Sequence, residues 1–143
     1  MLGDHADGLE RLLRQQFRAA KLLPDITGLA EQVKAVLAAM TDHPAAGDIP
    51  LDVRATAFQA RVWQALREIP RGETRSYAQL AEAIGQPTAV RAVARACATN
   101  PVAIAVPCHR VIGSDGSLTG YRWGVERKKR LLGIERGRGK CAP

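Results

Sequence analysis

The chain is poor in cysteine and has no long hydrophobic run. Its three cysteines, Cys97, Cys108 and Cys141, are an odd number without CxxC spacing. That argues against a disulfide framework and against a zinc site built on cysteine pairs, and fits a reducing, intracellular compartment. No stretch of about 18 apolar residues is present, so no transmembrane helix is expected. No charged-then-apolar leader stands at the start. Positive charge is scarce in the first third: residues 1–55 carry a net −2, whereas residues 56–143 carry +9. With 143 residues, 46% of them apolar, the chain can build one ordinary domain or two small ones. The basic part, in a chain of pI near 9.9, suits a polyanion partner, most simply nucleic acid. A merely solvated basic surface is the plainer alternative.

Residues 7–23 read as a helix opened by an Asp7–Glu10 capping box and closed by Pro24, with Leu9, Leu12, Leu13 and Phe17 at helical spacing. Residues 26–40 read as a second helix, with Leu29, Val33, Val36, Leu37 and Met40 on one face. Both stripes are expected in a core. Residues 41–50, with two prolines and a glycine, read as a linker. Thr56 and Gln59 form a T-x-x-Q box before a third helix, whose buried face is Phe58, Val62, Leu66 and Ile69. Trp63 is expected to pack, and Pro70, Arg71 and Gly72 to stop the helix.

Ser76 and Gln79 cap a short helix over residues 77–84, Gly85 is a natural residue after its end, and Thr88 is expected to cap another over 89–98. Two short helices around a glycine turn read as helix-turn-helix. Val90, Val93 and Cys97 should face the core, and Arg91 and Arg95 another face, on a helix otherwise mostly alanine. Such small side chains allow close approach to a phosphate backbone or a groove. A hairpin used only for packing would look similar. Asn100 and Pro101 end this helix, and residues 102–106 read as a short buried extended run. Residues 113–116 form a turn, with residues 117–119 returning as a strand. Tyr121, Arg122 and Trp123 lie in a loop between glycines. A last helix spans residues 125–134, with Arg127 to Arg130 on solvent, Glu135 at its end and a frayed tail from 136.

Residues 105–111, AVPCHRV, are the focus of the chain. The Cys108 thiol is flanked by an imidazole and a guanidinium, where cation and base can favour the thiolate. The thiolate is the nucleophilic form. The plainer alternative is a small buried core cysteine.

The segments TAFQARVWQALREIPRGETRSYAQLAEAIG, AVRAVARACATNPVAIAVPCHRVI and SLTGYRWGVERKKRLLGIE together resemble the O6-alkylguanine-DNA alkyltransferase (methylated-DNA–protein-cysteine methyltransferase) family. The likeness is nearest to the C-terminal part of its bacterial Ada-type members. It covers about residues 50–135, and PCHRV is its most specific motif. The resemblance implies an α/β fold, mostly α in this chain. The implied architecture is an alkyltransferase C-terminal domain with a winged-helix-like helix-turn-helix unit, preceded by a truncated ribonuclease H-like subdomain. Residues 1–50 would be the remnant of that subdomain, 51–136 the alkyltransferase and DNA-binding domain, and 137–143 a tail. Too few residues precede Thr56 to supply the family's whole N-terminal sheet, so a fragment or shortened protein is expected, and the four-cysteine zinc domain of full-length Ada is missing.

The resemblance also implies chemistry: direct, irreversible, one-shot transfer of an alkyl group from guanine O6, or thymine O4, to a cysteine. Cys108 is the implied acceptor, His109 the base acting through a water, Glu135 the group that orients and charges the imidazole, and Asn100 a brace. Tyr77 would protonate the departing purine and press on the rotating phosphate. Arg91 would be a finger filling the base stack from the minor groove, with Ala89 giving clearance and Ser114 a phosphate contact. Val111, Tyr121, Arg122 and Trp123 would line the pocket for the flipped base. Neither metal nor organic cofactor is implied. The expected partner is double-stranded DNA carrying O6-alkylguanine, met by a monomer in the cytoplasm, nucleoid-associated when bound, with no membrane involved.

Other classes stay in view. An alkylated-DNA-binding module would transfer little or nothing. A plain helix-turn-helix regulator explains the charge and the hairpin but not PCHRV or Glu135. A cysteine hydrolase would turn over repeatedly and brings its Cys and His from distant positions. Trp123 is bulky where some family members have glycine, so it is expected to narrow the pocket and make methyl transfer much faster than benzyl. Equal single-turnover rates on methylated and benzylated guanine would leave Trp123 as mere packing under the loop.

Overall fold

The computed structural model describes residues 2–25, 27–40, 52–118 and 120–137. The linker at 41–50, Cys141 and the tail from 138 lie outside the described residues. In chain order come α1 (Ala6–Gln16), α2 (Ala30–Met40), α3 (Ala57–Arg67), β1 (Arg75–Ser76), α4 (Tyr77–Ala83), α5 (Val90–Ala98), a 3-10 turn (Cys108–Arg110), β2 (Val111–Ile112) and α6 (Val125–Glu135). The two strands pair in parallel, Arg75 opposite Val111 and Ser76 opposite Ile112. This small pairing sets the start of α4 beside the end of PCHRV.

The core belongs to residues after 56. Val62, Leu66, Leu80, Val93 and Val111 are buried, and α3, α4 and α5 pack on one another. Trp63 is buried and its indole N–H donates to the Ala96 carbonyl at 2.9 Å, tying α3 to α5. The T-x-x-Q and S-x-x-Q signals form full capping boxes: the Thr56 hydroxyl accepts from the Gln59 amide, the Ser76 hydroxyl accepts from the Gln79 amide, and each glutamine side chain accepts from its cap's N–H. After α4 the amides of Gly85 and Gln86 donate to the carbonyls of Glu82 and Ala81, both at 2.9 Å, while Gly85 takes φ +72°. This is a Schellman ending, which turns the chain sharply into α5.

Several expectations are corrected. The first helix is shorter than 7–23: it ends at Gln16, His5 occupies its cap position, and no side chain caps it. Glu10 bonds Arg14, one turn on, instead of closing a box. The second begins at Ala30. Their stripes are not core. α1 has no buried residue, and Leu12, Phe17, Leu29, Val33 and Leu37 are all exposed. Thr88 does not cap α5; Ala89 stands at that position without a side-chain bond, and the helix starts at Val90.

Residues 102–106 are not an extended run. The Val106 amide donates to the Val102 carbonyl at 3.0 Å, and Ile104 sits at φ +81°, a rare conformation for a β-branched residue. Nor do residues 117–118 return as a strand, since β2 pairs with β1; only the Gly113 amide bonds the Ser117 carbonyl, at 2.8 Å. Thr119 lies outside the described residues. Lys128, expected on solvent, is fully buried.

Each capping box satisfies helix N–H groups that would otherwise lack a partner. Thr56→Ala and Ser76→Ala should each cost about 1 kcal/mol in denaturant unfolding, whereas Thr88→Ala should cost little because that hydroxyl is not a cap.

Candidate active site

Pro107 has φ −79° and ψ 62°, and the Cys108 amide donates to the Val106 carbonyl at 2.8 Å. This is an inverse γ-turn. The Arg110 amide then donates to the Pro107 carbonyl at 3.0 Å, closing the 3-10 turn. With about three residues per turn, the Cys108, His109 and Arg110 side chains leave in three directions. The thiol points into the core, and His109 and Arg110 reach the end of α6.

Asn100, fully buried just after α5, ties this segment down. Its Nδ2 donates to the Val106 carbonyl at 2.8 Å and to Cys108 Sγ at 3.2 Å, and its Oδ1 accepts from the Val102 amide at 3.0 Å. One side chain thus fixes both ends of the 102–106 turn and the thiol. Cys108 itself is buried, and burial pushes its pKa up, against the pull of the Asn100 hydrogen bond and the Lys128 charge. The expectation that Arg110 favours the thiolate is corrected by its direction: the guanidinium is committed to Glu135 and to the Ile69 carbonyl, the latter at 2.7 Å.

The Glu135 carboxylate collects donors from three segments. His109 Nε2 lies 2.9 Å from Oε1, Arg110 donates Nε and Nη2 at 2.7–3.2 Å, and the Gly72 amide donates to Oε2 at 3.2 Å. Burial raises the carboxyl pKa, but the hydrogen bonds from His109 and Arg110 and the electrostatic pull of those two side chains more than offset it, leaving it at about 2. With Glu135 ionised, His109 donates its Nε2 proton to it. The other ring nitrogen, Nδ1, is then the basic one, and it is buried without a hydrogen-bond partner. Gly72 sits at φ +79°, where a Cβ would stand 3.2 Å from the Glu135 carbonyl, so the close approach of this loop to α6 depends on glycine.

Tyr77, first residue of α4, is half-buried, and burial together with the Cys97 and Cys108 thiols raises its pKa to about 12. Its hydroxyl lies 3.3 Å from where a Cβ on Gly120 would stand, at the loop before α6. Tyr121 and Trp123 are buried in the same core cluster as Cys108 and Val111. Tyr121 Oη and Trp123 Nε1 have no hydrogen-bond partner. Arg122 is exposed, its guanidinium carbon 4.9 Å from the centre of the Trp123 ring. Trp123 and Arg122 also line a cavity with Leu12, Gln15 and Gln16 of α1.

Arg91 and Arg95 share the exposed face of α5, with Val93 and Cys97 buried beneath. Ala89 is half-buried at the start of that helix and Ser114 is exposed in the turn after β2. Cys108, His109, Glu135, Asn100, Tyr77, Val111 and Tyr121 are therefore gathered around the 3-10 turn, while Arg91 and Ser114 stand on the surface. Two residues of this cluster carry another role in the sequence reading: Arg110, the R of PCHRV, is expected to favour the thiolate but braces Glu135, and Lys128, inside a run of four basic residues expected on solvent, is buried. Among the described residues no group of three or more His, Cys, Asp or Glu side chains is placed to hold a metal ion, and no helix is long and apolar enough to cross a membrane.

The Glu135 carboxyl titrates near 4.5 when unfolded and near 2 when folded. Its contribution to stability is complete above about pH 4.5 and is lost as the pH falls through about 2. Glu135→Gln should cost about 3 kcal/mol at neutral pH, because Arg110 loses its counterion. It should also flatten the acid limb of a plot of unfolding free energy against pH; an unchanged limb would mean that other carboxylates cause it.

Residues 57–137 match the family model described as "6-O-methylguanine DNA methyltransferase, DNA binding domain". The chain is 54% identical over 132 residues to the bifunctional transcriptional activator/DNA repair enzyme Ada of Escherichia coli strain K12, covering 92% of this chain and 37% of that protein. It is 47% identical to the methylated-DNA–protein-cysteine methyltransferase of Mycobacterium bovis, covering 90% of this chain and 79% of that one. Among solved structures, Mycobacterium tuberculosis OGT in complex with DNA superposes with a TM-score of 0.75 at 48% identity, over 82% of this chain and 73% of that chain. The chain thus spans little more than a third of the Ada protein but most of the shorter mycobacterial relatives. The helix-rich fold with one small sheet is the alkyltransferase fold, and the chain belongs to the O6-methylguanine-DNA methyltransferase family.

Proposed function

We propose that this protein repairs alkylated DNA by moving one alkyl group from guanine O6 to Cys108, irreversibly and once per molecule. The observation that carries the reading is the buried Cys108 thiol, held by Asn100 beside a His109 whose far nitrogen is anchored on an ionised Glu135. His109 Nδ1 takes the thiol proton through a bridging water, and Glu135 stabilises the imidazolium that forms. The thiolate sulfur attacks the alkyl carbon, the carbon–O6 bond breaks, and its electron pair leaves on O6. Tyr77, still a phenol at neutral pH because its pKa is about 12, supplies the proton that makes the leaving group neutral guanine. The Tyr77 phenolate this leaves is reprotonated at neutral pH, its proton replaced in net by the one the His109 imidazolium gives up to solvent, so that overall the purine gains one proton and the thiol loses one. The product is a thioether, a poor leaving group, so nothing regenerates the thiol.

The target base must leave the duplex to reach a buried sulfur, at a cost of a few kcal/mol. The exposed arginines of α5 suit a helix laid in the minor groove, with Arg91 entering the stack, Ala89 giving clearance, Tyr77 against the rotated phosphate and Ser114 on the backbone. Val111, Tyr121, Arg122 and Trp123 would wall the pocket. On this reading α4 and α5, with the turn after β2, work as a winged-helix-like unit within residues 51–136, and α1 and α2 are the remnant of a ribonuclease H-like subdomain. The protein acts as a monomer in the cytoplasm.

Intact and peptide mass after mixing with excess O6-methylguanine duplex should show a gain of a single methyl group on Cys108, absent in Cys108→Ala. Tight binding without a mass gain would make the protein a damage-recognition module instead.

A further inference from the structure

Lys128 lies in the middle of α6 with no exposed surface, and its Nζ has no hydrogen-bond partner. A fully buried lysine is rare unless it is paired. Two aromatic faces cage this one: Nζ stands 6.0 Å from the Tyr77 ring centre and 5.9 Å from that of Tyr121. Such faces attract a cation but do not neutralise it. The ionisable groups facing it from other elements are Tyr77 of α4, Cys97 of α5, Cys108 of the 3-10 turn and Tyr121 of the preceding loop. On α6 itself, Arg127 bonds the Trp123 carbonyl and Asp4, and Glu135 is occupied by His109 and Arg110. No carboxylate is among the groups that act on Lys128.

We propose that Lys128 is a positioning residue for the transfer, its buried ammonium serving as countercharge to the Cys108 thiolate and losing that partner once the sulfur is alkylated. The proposal rests on Cys108 being the acceptor. Of the facing groups, only Cys108 is built to become an anion. Burial raises all four, Cys97 and Tyr77 to about 12, so burial does not single out Cys108; its partners do. Cys108 alone has a hydrogen bond from Asn100 and a neighbouring imidazole to take its proton. When His109 accepts that proton, the thiolate and the Lys128 ammonium form a buried pair. Attack then breaks the carbon–oxygen bond, leaves the electron pair on the departing oxygen and converts the thiolate into a neutral thioether. The ammonium is left in the core without a counterion, so it should give up its proton more readily in the alkylated protein.

The test follows the rate of Cys108 carbamidomethylation by iodoacetamide, read by peptide mass without DNA, between about pH 5 and 10 for the native protein, Lys128→Met and Lys128→Arg. Lys128→Met should move the pH midpoint up by about one unit or more, which is about a tenfold slower reaction near neutrality, and Lys128→Arg should stay near native. An unmoved midpoint in a folded Lys128→Met protein would overturn the proposal, because a lysine that only fills space leaves the thiol's titration alone. Should Lys128→Met not fold, the native protein decides. Its Lys128 ε-carbon is titrated by NMR before and after S-methylation of Cys108 with methyl iodide. The Lys128 midpoint should fall on methylation, and an identical midpoint would overturn the proposal. Neither readout uses DNA, so absent DNA repair refutes the acceptor reading while an unmoved midpoint refutes the countercharge.

Discussion

The Glu135 carboxylate holds the site together. It terminates the last helix and accepts from His109, from Nε and Nη2 of Arg110 and from the Gly72 amide. Three segments far apart in sequence, the loop after α3, the 3-10 turn and the end of α6, therefore meet on one buried anion. Such an anion is costly to bury and stays ionised only because its lone pairs are filled by cationic and amide donors. The arrangement also chooses the proton position on His109. With Nε2–H engaged by the carboxylate, Nδ1 is the basic nitrogen.

Asn100 does for the thiol what Glu135 does for the imidazole. It follows α5, and by bonding Val102, Val106 and Cys108 it fixes a turn strained at Ile104. The same helix carries Arg91 and Arg95 on its outer face. The surface proposed to meet DNA and the group that holds the nucleophile thus belong to one helix and the residue just past its end, and a shift of α5 would move both.

Burial sets the chemical tone. It raises Cys108, Cys97, Tyr77 and Tyr121 and lowers Lys128. Burial therefore penalises each charge that stands alone in this pocket, and a charge persists there only beside one of opposite sign. A thiol in such a place is inert until a base takes its proton and a cation receives the resulting charge. A thiol held mainly in its neutral form suits a protein proposed to react once.

The sequence by itself determined the local pieces. The two capping boxes, the glycine ending of α4, the core face of α3 and α5 and the PCHRV motif are all readable, because each rests on residues within a few positions of one another. It placed Cys108, His109, Asn100 and Glu135 among the residues of interest through the likeness of its motifs. Only the tertiary structure decided which stripes are core. The apolar faces of α1 and α2 have the right spacing, but periodicity shows that a face exists and not that anything covers it. Only the fold could turn Arg110 away from the thiol and onto Glu135, 25 residues on. It also drew one lysine out of a basic run and buried it between two tyrosines. A charge in sequence looks the same whether water or an aromatic cage surrounds it, and the difference lies in long-range packing.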